Sequence, residues 1–297
     1  MRSWLDRLFR PFEGAREPLA PAVFRVAFFV GLGLHFAPSL LQFDESFSPG
    51  ALRTDEWSHW LHVALARLPH GVMRAWAIVT VLACVTAALG LATRASAIVA
   101  AAGCYAFASF NGLPVQTLAI VNAWAILILW MICGGGAAAL SLDAAIARAR
   151  GRTAVRAEPR LLSSLVLFQV LLAVFFSGIE KLLAGWPRTN EMHVVLSYPR
   201  GFIVRDWVAQ AGWLHSVGVG RALSWLTLAV ELAAPPLLLV RRARVYALVA
   251  YEIFFLGIIA MLEVPPLFYF MFAFGALLAL DDRQVAAMRR YTVRSEK

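Results

Sequence analysis

Charge is scarce in this chain and lysine almost missing: 15% of the 297 residues are charged, and of the 27 Lys and Arg only Lys181 and Lys297 are lysine. With 61% hydrophobic residues and a mean hydropathy of +0.71, a water-soluble globule of this size is excluded. Cysteine is equally sparse. Cys84, Cys104 and Cys133 lie inside apolar runs without CxxC spacing, which excludes a disulfide framework and a thiolate metal site and leaves three small buried hydrophobes. No internal repeat, low-complexity tract or soluble domain is visible. The N-terminus MRSWLDRLFRPFEGAREP lacks a short apolar core followed by a small-residue cleavage site, so no cleaved leader is expected. The formal charge of +9 falls in short arginine clusters between apolar runs, not in an aromatic-laced stripe, and implies no nucleic-acid partner.

What the chain does have is apolar runs of membrane length. They predict an all-α fold, a polytopic integral membrane helical bundle of about eight transmembrane helices. The spans fall at about 21–43, 72–93, 97–110, 117–140, 161–183, 223–240, 245–262 and a last one ending near residue 280. Residues 1–20 read as a cytoplasmic or interfacial arm, 21–280 as one transmembrane domain, and 281–297 as a basic cytoplasmic tail. The connections 44–70 and 185–222 read as outer loops rich in aromatics, as segments at headgroup level are. Within the first loop Asp55, Glu56, His59 and His62 have only a loose metal-ligand spacing and read as one face of an interfacial helix, so no metal is expected. Arginines concentrate at 148–160, 241–244 and 283–294. By the positive-inside rule both termini are then cytoplasmic, in a membrane expected to be a bacterial inner membrane.

Intramembrane polar residues are costly and therefore informative. At a rise of about 1.5 Å per residue they sort into two layers. Arg25, Glu231 and Glu252 fall toward the cytoplasmic half, where Arg25 is expected to pair with one of the two carboxylates. His35, Asn122 and Lys181 fall toward the outer half, with Asn111 near the boundary. Ser177 lies one turn from Lys181 on the same helical face, and Trp186 follows shortly after. Lys181 admits two readings. Near a helix end its ammonium can snorkel into the headgroups; walled by Phe175, Phe176 and Trp186, a desolvated amine can give up its proton and act as a base, which arginine cannot.

Several segments together resemble one family. They are APAVFRVAFFVGLGL with Arg25, LGLATRAS, Asn111, SLD at Ser141 to Asp143, FQVLLAVFFSGIEKLLAGW and ELAAPPLLL. The chain is thereby identified as similar to the HTTM (horizontally transferred transmembrane) superfamily, the membrane domain shared with vitamin K-dependent γ-carboxylase. The resemblance implies that Lys181, in GIEKLLAGW, matches the lysine that deprotonates vitamin K hydroquinone, and that a quinone is the candidate cofactor. Two features depart from the pattern. Asn111 is followed by Gly112 and Asn122 by Ala123 where the carboxylase has an Asn-His pair, and Tyr251 and Glu252 stand where a seventh-span histidine is common. Without that histidine and without a lumenal recognition domain, carboxylation of protein glutamates is not expected.

Three functions remain open at this point. The first is an enzyme in which Lys181 takes a proton from a quinol-like or other lipid-soluble substrate, with His35, Asn111, Asn122, Ser177 and Trp186 as candidate substrate-binding residues. The second is a non-catalytic maturation or partner protein whose outer loop 185–222 docks a peptide or protein. A transporter built on the charge cluster Arg25, Glu231 and Glu252 ranks third, because no broken-helix pairing accompanies it.

Overall fold

The computed structural model describes residues 15–41, 67–107, 114–134, 138–152, 158–189, 191–197 and 203–286. Among them eight apolar helices carry the fold: α1 (Leu19–Leu41), α2 (His70–Ala88), α3 (Thr93–Phe107), α4 (Pro114–Cys133), α6 (Arg160–Leu183), α10 (Val217–Leu239), α11 (Arg244–Met261) and α12 (Pro266–Ala276). Between them lie the short helices α5 (Leu142–Ala149), α7 (Trp186–Thr189), α8 (Glu191–Ser197) and α9 (Asp206–Gln210). By length and composition α1, α2, α6, α10 and α11 could cross a membrane. Strands are limited to two-residue pieces, β1 (Ala15–Arg16) paired with β2 (Glu158–Pro159) and β3 (Ile203–Val204) with β4 (Leu262–Glu263). The expected all-α membrane bundle is therefore what the chain forms. The arm before residue 15, the loop 42–66 with Trp57, Trp60, His59 and His62, the tail from 287 and Asn111 lie outside the described residues.

Helix boundaries differ from the expected spans where the backbone supplies a stop or start signal. α4 ends at Cys133, not near 140, because Gly134 takes φ +66°, the left-handed terminator that glycine reaches without strain. α10 begins at Val217, six residues before the expected 223, because Ser216 caps it by accepting from Val219 N at 3.3 Å.

The last long helix packs on the first: α1 and α12 share the most extensive contact, and α2, α3 and α6, α10, α11 extend from that pair on either side. The close approach rests on small residues. A Cβ on Gly31 would lie 2.7 Å from the Cβ of Phe270, and one on Gly103 would collide with Thr80. The second contact is the tight α2–α3 hairpin that Gly103 predicts. The outward faces carry exposed Leu82 and Val85 on α2 and Val249, Ile253 and Leu256 on α11, surfaces suited to a lipid bilayer and not to water.

One end of the bundle is tied by arginine, in a way the sequence reading placed differently. Arg25 is fully buried and donates to Ala88 O at 3.4 Å, to Ala139 O at 3.3 Å and to Leu140 O. It makes no ion pair with Glu231 or Glu252 among the described residues. The physical reason is the orphan carbonyls at the end of α2 and in the turn before α5: the Nη1 and Nη2 groups of the guanidinium satisfy them, with the negative end of the α2 dipole alongside. Around this arginine, LGLATRAS and SLD grip each other. Ser141 Oγ donates to Gly90 O at 2.8 Å and accepts from Ala144 N at 3.2 Å, and Ala92 N donates to Asp143 Oδ2 at 2.8 Å. At the same end Arg16 donates to Leu278 O at 2.9 Å and Leu280 O at 2.8 Å, and Arg160 meets Asp282 at 3.1 Å. The first and last described segments thus lie together. Burial lowers the Arg16 pKa to about 10, still far above any working pH.

Arg25→Leu leaves three part-buried carbonyls without this donor, a loss of about 1 kcal/mol each. A lower thermal unfolding midpoint in detergent is expected, and Arg25→Lys should not restore it, because one ammonium cannot reproduce the planar fork. An unchanged midpoint in Arg25→Leu refutes the assignment.

Candidate active site

α6 delivers Lys181 two residues before its end, and the direction of the side chain follows from helix geometry. Cα–Cβ bonds tilt toward a helix's N-terminus, so a lysine in the last turn of α6 leans back along its own helix into the bundle. Lys181 Nζ accordingly donates to Ser177 Oγ, one turn earlier, at 2.8 Å. It also donates to Glu231 Oε1 on α10 at 2.5 Å and stands 5.1 Å from the centre of the Trp186 ring. The sequence reading set Lys181 and Glu231 in different layers. Backward-leaning Lys181 and an unexpected close approach of helices close that gap, since a Cβ on Gly178 would lie 3.0 Å from the Cβ of Glu231.

The pair is almost sealed. The Lys181 side chain is 19% exposed and that of Glu231 8%. Glu231 Oε2 is buried and has no hydrogen-bond partner among the described residues. Four residues on, Pro235 has no N–H to offer the Glu231 carbonyl, so the backbone at this point is also short of a donor. A carboxylate with one oxygen on an ammonium and the other unengaged is an incomplete polar network, and such gaps in a native interior ask for an occupant.

Space for an occupant is present. A cavity of about 190 Å³ is bounded by Ser177, Lys181 and Trp186 on one side, Thr227 and Glu231 on another, and Phe254, Phe255, Ile258, Phe268 and Phe272 opposite. Its walls are apolar except at the Lys–Glu–Ser cluster and Thr227. Aromatic packing keeps the far wall rigid: Phe255 and Phe272 stack with centroids 5.9 Å apart, and Phe268 lies 4.8 Å from Phe272.

A folded cap closes this end. α8 lies on α10, with the Cβ position of Gly220 only 2.7 Å from His193 Cβ, and Leu196, Val208 and Leu214 form a small core of their own. The cap is fastened to the carbonyls that end α11: Arg205 Nε donates to Ile259 O at 2.6 Å, Trp207 Nε1 to Ala260 O at 2.6 Å and Arg205 N to Met261 O at 3.1 Å. The expected outer loop 185–222 is thus, over its described residues, a built lid.

Of the other sequence-derived candidates among the described residues, Ser177 and Trp186 join Lys181 and Glu231 around the cavity, and the rest do not. Asn122 accepts from Gln169 Nε2 at 2.9 Å in the α4–α6 contact. His35 is buried on α1 edge-on to Phe36, and Glu252 sits on α11 with a buried Oε1 that has no partner among the described residues; neither lines the cavity. Arg25 belongs to the knot at the other end. Thr227, Met192 and the phenylalanine wall were not singled out in the sequence. The local signal for Glu231 was there, in a carboxylate followed at four and five residues by prolines.

A family model described as HTTM domain matches residues 17–282. No curated protein and no solved structure matches the chain.

Proposed function

The chain is an integral membrane protein that belongs to the HTTM domain family, and from that premise we propose that it is an enzyme deprotonating a hydroxyl of a lipid-soluble, quinol-like substrate at the Lys181–Glu231 pair. One observation carries this reading: the unengaged oxygen of Glu231 on the wall of a ring-sized apolar cavity. An apolar cavity of about 150 Å³ takes up benzene, so about 190 Å³ accommodates one aromatic ring with its substituents. A hydroxyl on that ring completes the polar network by donating to Oε2.

The motif match gives the base to Lys181. In the ion pair, however, the ammonium has no lone pair, so the proton passes to Glu231 Oε2 and the new oxyanion stays beside the Lys181 ammonium. Charge is conserved. Before transfer the site holds carboxylate and ammonium; afterwards it holds carboxylic acid, ammonium and substrate anion, the substrate having entered neutral. An apolar wall strengthens the contact between ammonium and oxyanion. Trp186 covers the ammonium on its other side. The arginine-rich end, with Arg148, Arg150, Arg241 and Arg242, is read as cytoplasmic, which puts the cavity toward the outer leaflet of a bacterial inner membrane.

The test is the ionisation of a lipid-soluble hydroquinone in nanodiscs, followed by the absorbance of its anion. The native protein is expected to yield anion at a pH where empty discs yield none. Glu231→Gln, which keeps shape but cannot take a proton, and Lys181→Ala, which removes the counter-charge, should each abolish it. Equal anion in native protein and both variants overturns the reading.

A further inference from the structure

A second, larger cavity of about 470 Å³ lies between α10 and α11, lined by residues of α10 from Leu223 to Val230 and of α11 from Ala250 to Met261. It shares Met192, Thr227, Phe254, Ile258 and Leu262 with the polar cavity, so the two are chambers on either side of one thin wall. The larger faces outward. Leu226 and Ile253 on its rim are 56% and 64% exposed, on the surface that meets lipid. At about 1.5 Å per residue the α10 side runs about 10 Å and the α11 side about 16 Å, which makes it an elongated groove. Its floor is open at Gly257, where a Cβ would meet no atom within 4 Å.

We propose that this groove holds the hydrocarbon tail of a single-chain amphiphile whose ring-sized polar head passes between Thr227, Phe254 and Ile258 to reach Lys181 and Glu231. The inference rests on the acid–base reading above and adds to it the substrate class and the side of entry. Size makes the argument. The inner chamber is filled by about one ring, so a substrate that reaches it with a hydrocarbon tail needs a second place for that tail, and the larger cavity shares a wall with it. Chemistry agrees with size. The inner chamber ends in an ammonium and a carboxylate, while the outer one is bordered by aliphatic and aromatic side chains with Thr227 at the dividing wall. An amphiphile lying in the bilayer would therefore enter sideways, head first, without leaving the membrane.

The test uses the full chain in phosphatidylcholine nanodiscs and para-dodecylphenol bearing a photoreactive diazirine at the end of its tail. Crosslinked peptides are mapped by mass spectrometry. Label is expected on 223–230 and 250–262, and Gly257→Phe, which fills the groove where space is open, should lower it about tenfold, the equivalent of 1.4 kcal/mol. Ala250→Phe, at the exposed other end of the same helix stripe, should act likewise, and guards against misfolding of either variant. Unchanged labelling in both filled variants, or native label spread evenly over α2, α3 and α11, overturns the groove. The two readings separate through Lys181→Ala. If that variant loses label while the filled variants keep it, the head site stands and the groove falls. If the filled variants lose label while Lys181→Ala keeps it, the groove stands and the acid–base reading falls.

Discussion

Replacing Glu231 by leucine is expected to destabilise the protein by about 3–5 kcal/mol, and replacing Lys181 by methionine in the same chain to restore most of that loss. The reasoning follows from burial. A charged pair with 19% and 8% of its side chains exposed has surrendered its hydration, and each partner is tolerable only because the other is 2.5 Å away. Glu231→Leu leaves an ammonium with Ser177 Oγ and the Trp186 face, in a cavity whose remaining wall is apolar apart from Thr227. Lys181→Met/Glu231→Leu removes both charges and fills the same space with apolar atoms, an exchange that is often neutral or stabilising. Thermal unfolding in one detergent gives the double-mutant cycle. The second readout decides function: the double variant should be as stable as the native protein yet produce no hydroquinone anion. A double variant that is stable and still active would show that the pair only specifies helix packing.

That the pair had to be found in three dimensions says where sequence reasoning stops. The class of fold was legible because hydropathy over about 20 residues is a local property, and the arginine clusters mark turns without any knowledge of packing. Lys181, Ser177 and Trp186 were legible as a group because all three sit on or just after one helix, where spacing fixes which face a residue takes. Glu231 was noticed but misplaced. Its depth was counted along its own helix alone, and no such count can reveal that Lys181 leans back along α6 or that Gly178 lets a neighbouring helix approach within contact of Glu231 Cβ. Arg25 was expected to seek a carboxylate because ion pairs are the familiar answer for a buried charge. The turn 138–141 and the end of α2 offered carbonyls instead, and carbonyl positions are not written in side-chain identity. The phenylalanine wall was illegible for a simpler cause: in a membrane helix an apolar residue facing a cavity and one facing lipid look the same.

Gly178→Val is expected to cost far more function than stability. In the native chain a Cβ at this position would lie 2.9 Å from Leu232 Cδ2 and 3.0 Å from Glu231 Cβ, closer than carbon atoms settle. A branched side chain there must push α6 and α10 apart, an overpacking cost of about 1–3 kcal/mol. Glu231 and Lys181 separate with their helices, and a misplacement of about 1 Å at a reacting centre can cost about a hundredfold in rate. Hydroquinone ionisation should therefore fall by about that factor while the unfolding midpoint drops only modestly. Two further variants fix the cause. Gly218→Ala, on the same helix as Glu231 but with no atom within 4 Å of the new Cβ, should leave function intact and raise stability slightly, as glycine replacement in a helix does. Leu232→Ala in the Gly178→Val background removes the flexible neighbour but leaves the Glu231 Cβ in the way, so rescue should be partial at most. Full rescue by Leu232→Ala would mean that crowding at Leu232, and not the spacing of the Lys181–Glu231 pair, limits the site.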